Sequence, residues 1–374
     1  MVPNGWSLVK LGDILTLGSG DTKPDDLQKE YSDDSPYPVY GGNNIMGYSS
    51  QKNSSDSVIL IGRVGEYCGV TRYIDKACWI TDNALYTKKV SSEIDKEYLV
   101  SKLKKFDLSR LRNKGGQPLV SQKPIYAVKL PMPPLPEQRK IAKILSTWDK
   151  AIATAERLIA ASQQQKKALM QQLLTGKKRL LNPETGMVFE GDWEEVKLGD
   201  VCSPQQWPTI SSKDLLDEGF SVYGANGHIG FYSEFNHEYE TVAVTCRGST
   251  CGEVSLIPKQ SYITGNAMCL DDIDSDQNSY MFIYYALCSR GFSDVISGSA
   301  QPQIVGKAIK SVKFVIPELV EQQKIASVLT AADKDIELLQ AKLAHLKEEK
   351  KALMQQLLTG KRRVKVETTE EATC

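Results

Sequence analysis

The stretch KKALMQQLLTGKKR at residues 166–179 returns as KKALMQQLLTGKRR at residues 350–363. Thirteen of the fourteen positions are identical, and the copies stand 184 residues apart. The echo runs far upstream of this stretch. WSLVKLGD (6–13) returns as WEEVKLGD (193–200), VYGGNNIMGY (39–48) as VYGANGHIGF (222–231), and ITDNALY (80–86) as ITGNAMC (263–269). GGQPLV (115–120) returns as SAQPQIV (299–305), and PEQRKIAKIL (136–145) as VEQQKIASVL (320–329). All offsets fall between 183 and 187, so the chain is one unit written twice. Two copies are too few for a solenoid, and a pseudo-two-fold pair is the simpler architecture.

The end of each unit reads as a long helix. Apolar residues recur at Ile141, Leu145, Trp148, Ile152, Ala155 and Ile159, pause at Ser162 and Lys166, and resume at Leu169 and Leu173. This 4-3-4-3 spacing is a heptad seam. The second copy keeps it in phase at Ile325, Leu329, Ala332, Ile336, Leu339, Leu343, Leu346, Lys350, Leu353 and Leu357. Pro136 followed by Glu137 suits a helix start, and Gly176 and Gly360 stand where a left-handed C-terminal residue is expected. A helix over 137–174 would be roughly 57 Å long. An apolar stripe cannot stay in water, so the two helices pack on each other or on another protein, and tandem two-fold symmetry makes the pairing antiparallel. Lys166 and Lys350 break both seams at the same place, either as lysines snorkelling from an open end or as a register pin.

The remainder of each unit reads as mixed and strand-rich. β-branched runs such as SVILIG (57–62) and TVAVTC (241–246) lie between Gly, Asn, Ser and Pro clusters. EYLVSKLKKF (97–106) and SYMFIYYALC (279–288) each read as a helix. The expected class is α+β: two strand-rich domains, 1–133 and 187–316, each followed by a spacer helix, 134–180 and 317–363, with a polar tail at 364–374. The sheet topology cannot be read from these patterns.

Composition is that of a water-soluble chain, with mean hydropathy −0.32 and no apolar run long enough to span a bilayer. The start lacks a signal-peptide layout, and the eight cysteines include no C-x-x-C, which points to a reduced cytoplasmic setting. Formal net charge is zero, but it is unevenly spread: +3 over 1–133, +6 over 134–186, −9 over 187–316 and zero over 317–374. Residues 88–129 alone hold +7, the pattern an anionic partner requires.

Enzymatic signatures are absent from the sequence. There is no phosphate-binding G-x-x-x-x-G-K-[ST], no strand-linked G-x-G-x-x-G and no H-E-x-x-H. A metal site from His228, His237, Cys246 and Cys251 has no counterpart in the first unit, and no metal is expected. Loop chemistry repeats instead: Tyr40, Asn43, Asn44, Arg63, Asn83 and Gln117 in one copy, and Tyr223, Asn226, His228, Arg247, Asn266 and Gln301 in the other. Asn, Gln and Arg read base edges bidentately, although Asn and Gly are also ordinary turn residues. Positions that differ between copies, Asn44 against His228 and Lys114 against Gly298, are the better specificity candidates.

Taken together, the tandem layout, the opening W-x-x-V-K-L-G-D and the strings PMPPLPEQRKIAKILSTWDKAI and IPELVEQQKIASVLTAADKDI resemble the specificity (S) subunits of type I restriction-modification enzymes. The resemblance covers essentially the whole chain. It implies two target recognition domains, each reading half of a split site in double-stranded DNA, and two helices whose length sets the unread gap. It also implies docking of two modification (methyltransferase) subunits and of restriction (translocase and nuclease) subunits. S-adenosylmethionine, ATP and Mg2+ would belong to those partners, with no cofactor and no catalysis in this chain. The rival readings are the recognition part of a single-chain restriction-methylation enzyme, or a coiled-coil adaptor that does not bind DNA.

Overall fold

A computed structural model describes residues 2–113, 115–298 and 300–366. The chain forms two compact units: residues up to Glu156 together with those from Ala341 onward, and Arg157–Gln340. Each unit therefore joins one mixed α/β domain to half of each long helix.

In the first unit, β1 (Ser7–Lys10) leads through the short α1 (Leu11–Ile14) into β2 (Leu15–Ser19). There follow β3 (Tyr37–Tyr40), β4 (Ile45–Ser49), β5 (Val58–Gly62), β6 (Thr71–Ile74), β7 (Trp79–Ile80) and β8 (Ala84–Val90). Then come α2 (Lys96–Phe106), α3 (Gln122–Ala127), β9 (Lys129–Met132) and the long α4 (Leu135–Leu173). An antiparallel sheet has the order β2-β8-β5-β6, and a smaller one has β4-β3-β7, in which β3 and β7 run parallel. β1 pairs with β9, so the opening W-x-x-V-K-L-G-D closes the domain just before its helix departs.

The core explains why SVILIG is apolar without alternation. All five residues of β5 are buried, because the larger sheet is covered on both faces. Ile59 and Ile61 face Leu99, Leu103, Ile141 and Leu145 in one cluster, whereas Val58 and Leu60 join Tyr40, Ile74, Ile80 and Ala84 between the sheets.

The second unit repeats this plan: β10 (Glu194–Lys197), α5 (Leu198–Val201), β11 (Ser203–Gln206), β12 (Phe220–Gly224), β13 (Gly227–Tyr232) and β14 (Thr241–Thr245). It continues through β15 (Val254–Ile257), β16 (Tyr262–Ile263), β17 (Ala267–Asp271), α6 (Tyr280–Arg290), α7 (Gly306–Lys310), β18 (Lys313–Ile316) and α8 (Leu319–Leu357). The sheets have the orders β11-β17-β14-β15 and β13-β12-β16, and β10 pairs with β18. The sequence-expected helices at 97–106 and 279–288 are α2 and α6, capped by Asp95 and Ser279.

α4 and α8 each have 39 residues, about 58 Å of helix, and pack antiparallel within each unit. In the first unit the start of α4 meets the end of α8, where Ile141 and Leu145 pack with Leu353, Leu357 and Leu358. In the second, Leu169 and Leu173 of α4 pack with Ile325 and Leu329 of α8. Every seam position is buried or half-buried, including Trp148, Ile152, Ile159, Ile336, Leu339, Leu343 and Leu346, whereas the off-seam Leu158 and Leu338 are exposed.

The stretch that repeats most closely is a joint. Gly176 and Gly360 adopt φ of +68° and +70°, and the N–H of Lys178 and of Arg362 turn back to Gln172 and Gln356. The chain then reverses onto the other long helix. Arg179 donates two hydrogen bonds, both of 2.6 Å, to the buried Glu321, and Arg363 donates two of 2.7 Å to the buried Glu137. The same guanidinium groups lie over Trp193 and Trp6. Lys166 pairs with Asp333 and Lys350 with Asp149, again at equivalent positions, so these lysines cross-link opposite helices and act as register pins.

Candidate nucleic-acid interface

At one end of each larger sheet, four loops are tied together by the same backbone hydrogen bonds. In the first unit the N–H of Arg63 donates to Asn83 O, that of Gly65 to Pro118 O and that of Val120 to Arg63 O. The second unit uses Cys246 to Asn266, Gly248 to Pro302 and Ile304 to Cys246. The Tyr-Gly hairpin loop completes each set, after a β-bulge between Val39 and Tyr40 or between Val222 and Tyr223. Gly42 and Gly62 permit this convergence, since a Cβ at Gly42 would meet Asn83 O at 2.9 Å and one at Gly62 would meet Gly42 O at 2.5 Å.

These bonds correct two pairings made from the sequence. Cys246, not Arg247, occupies the place of Arg63, and Arg247 occupies that of Val64. His228 stands opposite Tyr223 as Ile45 stands opposite Tyr40, so His228 matches Ile45 and not Asn44. Aligning on the eye-catching arginine and histidine misplaces both by one residue. Lys114 lies outside the described residues.

The candidate residues sort by exposure. Tyr40 is 7% exposed, and burial raises its hydroxyl pKa above the ordinary tyrosine range; it supports the loop from beneath and does not present itself to a ligand. Arg63 is half-buried and turned inward, donating to Ser19 Oγ at 3.0 Å. Asn43 Oδ1 accepts from Arg72 at 3.0 Å, and Asn226 Oδ1 accepts from Thr250 at 3.1 Å, so both asparagines latch their loops. Asn44, Asn83 and Gln117 are exposed on the first platform, and His228, Arg247 and Gln301 on the second, where Tyr223 and Asn266 are half-buried. His228 stands edge-on to Tyr223 and Phe231, with ring centroids 5.6 and 4.9 Å away.

A concavity of about 460 Å³ opens between Gly41–Met46, Val64–Tyr67 and Asn83. It adds residues that the sequence reading missed: the exposed Met46 and Tyr67, with Ile229 exposed on the second platform. A large apolar side chain inside a Gly-rich turn was the available signal. Also missed were Gln138, Glu321 and Gln322, while Glu137 was read only as part of a helix start. Gln138 accepts from Asp95 N at 2.9 Å and donates to Pro133 O, while Gln322 accepts from Ser279 N at 2.9 Å and donates to Pro317 O. Each glutamine ties the start of a long helix to the domain before it.

Charge is placed differently in the two domains. Asp271 and Asp272 follow Ala267 by four and five residues, so they stand about 13 Å or more along the strand from the loop platform. Glu238 and Glu240 join them around a cavity at that far end. The corresponding cavity of the first domain is lined by Lys88, Lys89 and Lys96 with a single carboxylate, Asp56. Part of the acidic surplus of residues 187–316 therefore lies away from the loops.

Two loop platforms of one design, each built on half of an antiparallel helix pair, define a tandem recognition frame. A family model of the type I restriction modification DNA specificity domain matches residues 3–161 and 190–348. The chain belongs to this family, the specificity subunits of type I restriction-modification systems, which are the non-catalytic recognition components. It is 27% identical over 407 residues to the type I restriction enzyme MjaVIII specificity subunit of Methanocaldococcus jannaschii, covering 97% of this chain and 94% of that one. It is 28% identical to the putative MjaX specificity subunit of the same organism, over 82% and 76% of the two chains. The crystal structure of a type I restriction-modification S subunit from M. genitalium superposes with a TM-score of 0.73 at 17% identity, over 96% of this chain and 99% of that one, and shares the fold.

Proposed function

We propose that this chain reads a bipartite site in double-stranded DNA, each loop platform contacting one half-site, while α4 and α8 set the unread gap. The observation that carries this reading is the repeated platform: identical backbone ties present different side chains. Ile45, Val64 and Glu66 on one become His228, Arg247 and Ser249 on the other. Two readers of one architecture and unlike chemistry suit a site with two unlike halves.

The chain itself would hold no S-adenosylmethionine, ATP or Mg2+. Two modification subunits would dock on the frame and methylate DNA, and restriction subunits would join them, in the cytoplasm. The −9 of residues 187–316 means that isolated chain binds DNA weakly, with modification subunits supplying much of the phosphate contact. No helix among the described residues is long and apolar enough to cross a membrane.

The test is a binding selection with randomised DNA on the complex of this chain with its modification subunits. Arg247→Ala and His228→Ala are expected to relax one half-site and leave the other half and the gap unchanged. Loss of both halves at once, or no change in either, contradicts the assignment.

A further inference from the structure

His237 comes from the loop after β13 and is only 9% exposed, its backbone bridged to Ser261. Cys269 and Asp271 stand two residues apart on β17, so strand alternation puts them on the same face. The imidazole nitrogen, the thiol sulfur and a carboxylate oxygen all lie within 4.8 Å of one another. Ligands of a tetrahedral zinc ion stand roughly 3.3–3.8 Å apart for bonds of about 2.0–2.3 Å, so small side-chain rotations suffice.

Asn236 fixes which atom faces His237 Nδ1. Its Oδ1 accepts the Ile263 N–H at 2.8 Å and its Nδ2 donates to Ile263 O at 3.0 Å, which fixes the amide orientation. That same Oδ1 faces His237 Nδ1 at 2.7 Å, so Nδ1 holds a proton. In the neutral ring, Nε2 then presents a lone pair 3.1 Å from Asp271 Oδ1. Two acceptors at that distance repel each other unless a proton or a metal cation stands between them. An imidazole that gives one N–H to a fixed oxygen and leaves the other nitrogen bare is the arrangement found at metal-bound histidines.

We propose that the second domain binds one zinc-like divalent ion through His237 Nε2, Cys269 Sγ and Asp271 Oδ1. The mixed nitrogen, sulfur and oxygen set suits zinc better than magnesium or calcium. Asp271 Oδ2 accepts from Trp207 Nε1 at 3.0 Å, which holds the carboxylate in place. His237 and Asp271 also line a cavity of about 780 Å³, from which water fills the fourth position. Binding as the thiolate releases the Cys269 thiol proton to solvent. The first domain has Ser54, Tyr86 and Lys88 at these places, so it holds no such site. The ion pins the loop around His237 to β17 and stabilises the second domain alone.

The experiment loads the full chain with Zn2+, removes free metal by dialysis and counts bound metal by mass spectrometry, with Co2+ as the optical probe. We expect about one ion per chain and a tetrahedral cobalt spectrum with a thiolate charge-transfer band. Cys269→Ser is expected to remove that band, and Asp271→Asn, which keeps an acceptor for Trp207, to cut metal retention about tenfold. Cys288→Ser, at an exposed cysteine, is expected to change neither. No retained metal overturns the proposal and leaves His237 simply hydrogen-bonded between Asn236 and Asp271. A cobalt band that survives Cys269→Ser overturns it as well, and should that variant fail to fold, Asp271→Asn decides.

Discussion

Arg179 and Arg363 show how one side chain fixes a fold. Each leaves the end of a long helix, grips a buried glutamate of the other with two hydrogen bonds and covers a tryptophan face. Arg363→Ala strands Glu137 as a buried charge, and urea unfolding is expected to show a loss of about 3 kcal/mol. Arg363→Lys restores little, because an ammonium cannot reproduce the planar fork. A loss under half a kilocalorie would show that water compensates Glu137. Lys102 gives a pH-dependent case. It is buried, donates to Leu358 O and lies over Trp6, and burial lowers its pKa to about 8 from an ordinary 10.5. Between those values the unfolded chain binds more protons than the folded one, so the Lys102 contribution makes stability rise with pH. Lys102→Met is expected to flatten that rise in unfolding series between about pH 7 and pH 10. An unchanged slope would assign the pH dependence to other groups. In sequence, Lys102 is one lysine among several on α2, and nothing local marks it. Its surroundings come from residues 6 and 358, far apart along the chain.

At the scale of elements, the helices were legible and the sheets were not. Heptad spacing is local, so Ile141 through Leu173 announce themselves, as do Gly176 and Gly360. β3 and β7 pair in parallel across some forty residues, and no local pattern encodes that register. The loops fared between these extremes. The repeat located them, but their alignment depends on the Gly65 and Gly248 backbone bonds for Arg247 and on the hairpin register for His228, which place each one position from where side-chain similarity puts it. The helix pair also sharpens how a gap would be altered. Lys166–Asp333 and Lys350–Asp149 lock both registers, so a heptad added to α4 alone forces a bulge. Matched heptads, one after Leu158 in α4 and one near Gln340 in α8, preserve both pins. They add about 10.5 Å, roughly three base pairs, to the gap. Selection of the bound site is expected to return unchanged half-sites with a longer spacer. An unaltered spacer would refute the ruler.

The whole molecule repeats its frame and varies its message. Residues that hold the frame recur: Trp6 and Trp193, Gln138 and Gln322, Arg179 and Arg363. On the loop platforms Ile45, Val64 and Glu66 give way to His228, Arg247 and Ser249, and charge diverges too, with three lysines and Asp56 in one far-end cavity and carboxylates alone in the other. A shared joint with divergent loops is what one kind of partner and two unlike half-sites would require. The most direct measurement is a methylome comparison of a host with the intact chain, without it, and with the His228→Ala, Arg247→Ala double variant. The account predicts methylation at one split motif that disappears without the chain and becomes degenerate in one half with the variant. A methylation pattern unchanged by removing the chain would contradict it.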